Sequence, residues 1–88
     1  MFVYTTIISN LLELSLLLHR PVLVHTNVVP YIEIPTLKGH CMVMWVLGQY
    51  QITYRRDEGA ASVTVHETPQ KAFDYLVENE IVVKGKDF

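Results

Sequence analysis

The sequence predicts a single two-layer α+β domain, a mainly antiparallel sheet with two helices packed on one face. Its 88 residues are enough for one domain only. Short segments rich in β-branched and aromatic residues alternate with turn residues, which indicates several strands. Two other segments place apolar residues at helical spacing, one before and one after most of those strands. The domain is expected to span residues 1–83, with 84–88 as a flexible C-terminal tail.

The N-terminal segment predicts a strand followed by a helix. Residues 2–8 are almost wholly β-branched or aromatic, which is typical of a strand. Unbranched leucines then favour a helix over residues 11–19. Asn10 and Glu13 have the spacing of a helix N-cap and its partner, and Pro21 ends the helix.

The chain holds more apolar surface than its size suits. Half of its residues are hydrophobic, 18% are charged, and six leucines lie among the eight residues 11–18. A domain of this size hides roughly 60–65% of the surface that its unfolded chain exposes. The surplus predicts association, with a homodimer as the expected state. The candidate self-association residues are Leu12, Leu16 and Leu17.

The segment after the first helix predicts short strands. Residues 22–24 and 28–29 are mainly valine, which favours strands. Residues 31–34 alternate in character and lie between Pro30 and Pro35. Because proline cannot donate a hydrogen bond to a neighbouring strand, this segment predicts an edge strand, followed by a loop.

The segment 40–56 has two interpretations. Its even positions from Met42 to Tyr54 are apolar, apart from Gly48, which predicts one long strand bent at that glycine. Residues 41–47 contain no polar side chain, which predicts burial on both faces of the first half. A tight hairpin at Gly48 is the alternative, and the pattern leaves both open.

The next two elements have stronger local signals. Asp57 to Gly59 separate two alternating runs, and Gly59 lies where a turn with a bulge requires a positive φ, which predicts a hairpin of 49–56 with 60–66. Thr68 and Pro69 then have the types preferred at a helix N-cap and first position.

The second helix is expected to bury one stripe of side chains, and a short strand is expected to follow it at 81–83. The stripe consists of Ala72, Phe73, Leu76 and Val77.

Composition excludes several function classes. A net charge of −2 and a pI near 6.0 argue against a surface dominated by phosphate contacts. The single cysteine, Cys41, excludes an internal disulfide framework and favours a reducing, cytoplasmic location. The apolar N-terminus lacks a basic region and is interrupted by Glu13, so no membrane attachment is predicted.

No motif fixes a chemistry. His25, His40, Cys41 and His66 are the residues of metal-ligand type, but their spacing matches no familiar zinc pattern. His40 and Cys41 are neighbours on a predicted strand and therefore point to opposite faces. No metal site or cofactor is predicted. An enzyme built on Cys41 and a histidine is the third functional hypothesis. It ranks last because the sequence shows neither a group to orient the histidine nor an oxyanion site.

Protein binding is the leading hypothesis. Tryptophan and methionine are enriched at interfaces, and an exposed hairpin tip bearing both charges supplies polar anchors. The candidate partner-binding residues are Trp45, Met44, Arg55, Arg56, Asp57 and Glu58. We expect a small cytoplasmic, non-enzymatic module that inhibits or modulates an unknown protein, by analogy of size with phage-encoded inhibitors.

Single-stranded nucleic-acid binding is the alternative hypothesis. Stacking on aromatic rings and contacts from basic side chains hold such strands. The residues that would do so are Tyr50, Tyr54, Arg55 and Arg56.

Overall fold

The chain folds into a sheet of five antiparallel strands and two helices, in a computed structural model that describes residues 2–25, 27–37 and 39–83. The strands are ordered in the sheet as they are in the chain. The elements are α1 (Phe2–Leu18), β1 (Leu23–His25), β2 (Val28–Thr36), β3 (Gly39–Val46), β4 (Gln49–Arg56), β5 (Ala61–His66) and α2 (Pro69–Glu78). The predicted tail, 84–88, lies outside the described residues.

Both helices pack on the same face of the sheet, which confirms the predicted fold class. The core joins α1 and α2 to alternate residues of β2, β3 and β4, and α1 also contacts α2. On α1 the buried residues recur every three or four positions, as expected for a helix with one face on a sheet. The fully buried side chains of the core include Leu11, Leu14, Leu18, Ile32, Ile34, Cys41, Val43, Tyr50, Ile52 and Leu76.

The predicted strand at 2–8 is wrong, because α1 already begins at Phe2. Asn10 lies inside this helix, where its Nδ2 donates to the Thr6 carbonyl at 2.8 Å, so it is not an N-cap. Strand preference spans only about 1 kcal/mol per residue and yields to packing. Ile7 is buried in line with Leu11, and that burial favours the helix.

The first helix ends close to the predicted position. Leu18 is its last residue, His19 has a positive φ of 56°, and the Arg20 amide donates to the Ser15 carbonyl at 3.2 Å. Together with the left-handed conformation of His19, this bond forms a Schellman C-cap. Pro21 follows and cannot continue the helix.

The second helix confirms its predicted start. The Thr68 side chain accepts a hydrogen bond from the Lys71 amide at 3.1 Å, and Pro69 takes the first helical position. Ala72, Phe73 and Leu76 are buried as predicted.

The predicted strand at 81–83 is wrong. Glu80 has a positive φ of 58°, and the amides of Ile81 and Val82 both donate to the Leu76 carbonyl, at 2.9 and 3.2 Å. The chain therefore folds back under the end of α2, where Ile81 and Val82 are buried. Their apolar character reflects this cap contact, not a strand.

Gly48 is a hairpin turn, so the prediction of one long bent strand is wrong and its alternative is confirmed. Leu47 and Gly48 have positive φ angles of 52° and 79° between the paired residues Val46 and Gln49. Positive φ at both central residues defines a type I′ hairpin turn.

The turn also changes which residues share a face. Trp45 pairs with Tyr50 and Met44 pairs with Gln51, so odd positions of β3 lie beside even positions of β4. The predicted apolar face of even positions on both strands does not exist. Cys41 is buried while Met42 is only half-buried, so burial on both faces is also wrong.

The remaining strand predictions are largely confirmed. β4 and β5 form the predicted hairpin, and Gly59 has the expected positive φ, 141°. β1 and the start of β2 lie where short strands were predicted. The edge-strand prediction for 31–34 is wrong in that β2 lies between β1 and β3. However, β1 pairs with β2 only as far as Tyr31.

Within the described part of the chain, neither helix combines the length and the apolar character needed to cross a membrane.

Candidate functional site

The candidate site is the face of the sheet that the two helices leave uncovered, here called the open face. The core residues of each strand alternate with residues that project to the other side. Among the described residues, no helix packs there. The open face consists of Tyr31, Glu33, His40, Met42, Met44, Val46, Gln49, Gln51, Thr53, Arg55, Ala61, Val63 and Val65.

The centre of the open face is uncharged and mainly apolar. Two rows cross the sheet through paired residues: Met42, Thr53 and Val63 form one, and Met44, Gln51 and Val65 form the next. Methionine side chains adapt to irregular partner surfaces, and covering the centre removes no charged group from water. This composition suits contact with another protein.

One end of the open face is charged. Glu33 and His40 lie on adjacent strands with their Oε1 and Nε2 atoms 3.6 Å apart. Arg55 is paired with His40 across the next strand. These groups border the apolar centre as the polar rim borders the core of a protein interface.

The last strand, β5, has its apolar side chains on the face away from the helices, which is the reverse of the usual arrangement in a strand. Val63 and Val65 are 59% and 55% exposed, and they point away from the helices. Thr64 and His66 face the helix layer, since they pair with core residues of β4 and the His66 ring lies 4.8 Å from that of Tyr75. A shift of one residue would turn both valines toward the helix layer. This strand therefore exposes apolar side chains that the fold itself does not use.

The structure divides the predicted partner-binding residues between two faces and two ends. Met44 and Arg55 lie on the open face, whereas Trp45 projects to the other side and packs against the core. Trp45 pairs with Tyr50, five residues before Arg55, which is about 17 Å along β4 at ~3.4 Å per residue. The structure thus does not bring Trp45 together with the charged end.

The tip of the β4–β5 hairpin forms a separate feature. Arg56, Asp57 and Glu58 are exposed there, and the Arg56 guanidinium carbon lies 5.7 Å from the centre of the Tyr54 ring. Arg56, Tyr54 and Tyr75 help to line a groove of about 240 Å³ beside the end of α2. Small-molecule pockets are usually larger, at about 300–1,000 Å³, so this groove is small for a ligand site.

The tyrosines of the nucleic-acid alternative do not form a stacking platform. Tyr50 is only 1% exposed, and its hydroxyl donates to the Asn10 carbonyl at 2.7 Å. Burial, and secondly the negative charge of Glu13, raise the pKa of Tyr50 to about 12. Tyr54 packs partly against the core, which leaves Arg55 and Arg56 as the exposed members of the set.

The residues of the Cys/His alternative are also separated. Cys41 is buried, and burial raises the pKa of its thiol to about 12, so it holds almost no nucleophilic thiolate at neutral pH. Cys41 lies in the pairing row that ends at Ser62, four residues from His66, or about 13 Å along β5. His40 is next to Cys41 but on the open face.

No metal centre is formed by the residues that the structure describes, where no three His, Cys, Asp or Glu side chains come together.

The predicted self-association residues lie on the helix layer. Leu12 and Leu16 are 47% and 75% exposed, one turn apart on the outer side of α1. Leu17 is half-buried and packs against the core. Two of the three therefore present apolar surface to solvent, on the side of the molecule opposite the open face.

Sequence reasoning missed Met42, Tyr31, Val63 and Val65 as surface residues. The face that carries Met42 depends on the type I′ turn at Leu47 and Gly48. The sequence signals this turn only weakly, because a leucine and not the usual Asn or Asp precedes the glycine. The valines of β5 follow the alternation of an ordinary core strand. The contact between the rings of His66 and Tyr75 joins β5 to α2, and no local sequence pattern predicts it.

The chain matches no known protein family, no curated protein and no solved structure.

Proposed function

We propose that this chain is a small non-enzymatic protein-interaction module that binds another protein through the open face of its sheet. The observation that supports this most is the reversed strand β5, which turns Val63 and Val65 away from the core. A local sequence pattern that conflicts with the fold lowers stability. Such conflicts are expected mainly at functional sites, where another role accounts for the residues.

The composition of the open face supports the same proposal. Its centre combines Met42, Met44 and two valines, and its rim carries Glu33 and Arg55. An apolar centre within a polar rim is the usual anatomy of a protein interface. The partner we propose therefore has a complementary apolar patch bordered by charges of both signs.

The biological role we propose is inhibition or modulation of that partner in a reducing, cytoplasmic compartment. The analogy with small phage-encoded inhibitors is one of size and of missing catalytic motifs. The buried Cys41, whose pKa is raised by burial, is a poor nucleophile at neutral pH, which supports a non-enzymatic role.

Site-specific photo-crosslinking tests the proposal. A photoreactive residue replaces Met44 at the centre of the open face or, as a control, Leu16, which is 75% exposed on the helix layer. We expect a defined adduct with a foreign protein from position 44 and none from position 16. The adduct must survive nuclease, and products of two copies of this chain are counted separately.

Binding to the purified partner then decides the matter. Met44→Lys places a charge in the apolar centre and is expected to weaken the affinity by about tenfold or more, while Leu16→Lys leaves it unchanged. Equal effects of the two substitutions would contradict the proposal. A nuclease-sensitive adduct, together with affinity for short single strands that falls steeply with salt, would favour the nucleic-acid alternative.

A further inference from the structure

The two edges of the sheet differ in how they are protected. β1 is a three-residue strand whose register shifts between Leu23 and His25. Short and irregular edge strands are how native sheets avoid pairing with other chains. The part of β2 beyond Tyr31, which β1 leaves unpaired, contains Pro35, so this edge is unsuited to further strand addition.

The opposite edge lacks such protection. β5 is six residues long, contains no proline and no charged residue, and keeps an uninterrupted register with β4 from Ala61 to His66. In the part of the chain that the structure describes, no strand pairs with its outer side. Its outward amide and carbonyl groups are consequently available to another strand.

We propose that β5 pairs with β5 of a second copy of this chain, so that two sheets join into one antiparallel sheet of ten strands. A two-fold axis perpendicular to the sheet makes the interface self-complementary, because the same strand serves both copies. This symmetry also keeps each residue on its own face. The exposed Val63 and Val65 then lie beside valines of the partner, and β-branched cross-strand pairs of this kind stabilise sheets.

The charge distribution favours a second copy as the occupant. Two β5 strands approach without like-charge repulsion between them, since Ala61–His66 contains no Asp, Glu, Lys or Arg. Only one edge of each sheet is suited to pairing. The assembly therefore closes at two copies, whereas two open edges would propagate a filament.

The pairing makes the open faces of two copies continuous and so deepens the proposed function. Only this consequence for partner binding rests on the proposed function. Each dimer would present two apolar centres around Met44 to other proteins. Bivalent presentation raises the apparent affinity for a partner that is itself repeated.

The test compares three lysine substitutions at exposed apolar positions. Val63→Lys lies on β5, Val24→Lys on β1 and Leu16→Lys on α1, with the three side chains 59%, 58% and 75% exposed. Solution mass is measured by light scattering over a wide range of concentration. We expect a dimer for the unmodified chain and for the β1 and α1 variants, and a dissociation constant raised by about tenfold or more in Val63→Lys.

Hydrogen exchange on the unmodified chain gives a second, independent measurement. We expect the amides of β5 to exchange more slowly at high than at low protein concentration, while those of β1 do not change. A monomeric mass at all concentrations would overturn the proposal. So would a dimer that Leu16→Lys dissociates and Val63→Lys does not, since that places the interface on α1. A monomer that still crosslinks a foreign protein at position 44 would leave the proposed function intact.

Discussion

Replacement of Tyr50 by phenylalanine tests the contact that fastens the sheet to the first helix. The substitution removes the 2.7 Å hydrogen bond from the Tyr50 hydroxyl to the Asn10 carbonyl and keeps the ring. A buried hydrogen bond contributes about 1 kcal/mol net to stability. An 88-residue domain has a total stability of about 4–13 kcal/mol at ~0.05–0.15 kcal/mol per residue, so the loss is measurable.

The assay is urea and thermal unfolding at one fixed protein concentration. We expect Tyr50→Phe to lower the unfolding free energy by about 1 kcal/mol and the Tm by about 4–8 °C. Tyr54→Phe is the matched control, because the Tyr54 hydroxyl makes no hydrogen bond to a described residue. That variant is expected to stay within about 0.5 kcal/mol of the unmodified chain.

Alkaline titration gives the same contact a second readout. The pKa of Tyr50 is raised from 10.0 to about 12, so the unfolded chain loses this proton first and stability falls as pH rises above about 10. Tyr50→Phe should weaken that alkaline loss. Equal stability of Tyr50→Phe and the unmodified chain, or ionisation of Tyr50 together with the other tyrosines, would refute the reasoning.

Three further predictions concern the core and its titratable groups. Leu14→Ala removes a fully buried side chain and should cost about 2–5 kcal/mol in unfolding experiments, against about 0.5 kcal/mol or less for Leu16→Ala; similar costs would contradict the orientation of α1. Cys41, with a pKa raised from 9.0 to about 12, should react with an aromatic disulfide about a thousandfold more slowly in the folded than in the denatured chain, and equal rates would contradict its burial. Burial lowers the pKa of His66, so the folded chain binds this proton less readily and stability should fall as pH drops below about 6.5. His66→Gln should flatten that acid dependence in thermal unfolding, and an unchanged dependence would assign it to other groups.

The elements predicted correctly from sequence carry their signals locally. Thr68 and Pro69 mark the start of α2 by the hydrogen-bonding and φ preferences of their own side chains. Gly59 marks the β4–β5 turn because a positive φ is required there. Such signals act within a few residues and do not depend on what packs against the element.

The elements predicted wrongly are those where packing decides. Residues 2–8 have strand-forming side chains, but burial of Ile7 on the sheet holds them in α1. Ile81 and Val82 read as a strand and instead cover the end of α2. In both cases a preference worth less than about 1 kcal/mol per residue competes with burial worth about 1.5–3 kcal/mol for a large side chain.

The candidate site was only partly predictable for a geometric reason. A side chain changes face when a strand shifts by one residue, so the turn at Leu47 decides which residues join Met44 on the open face. Trp45 has the composition of an interface residue but points into the core side. Composition identified the apolar segment, and the strand register assigned its members to faces.

The meander order of the sheet has a consequence for folding kinetics. Every strand pairs with the strand next to it in the chain, so each pairing closes only a short loop and little chain entropy is lost at each step. The contacts of α1 with α2 join segments that are far apart in sequence, so we expect them to form after the sheet. Destabilising that helix contact is therefore expected to raise the unfolding rate while the folding rate changes little. We therefore expect the helix contact to set how long the folded sheet lasts and the hairpins to set how fast it forms.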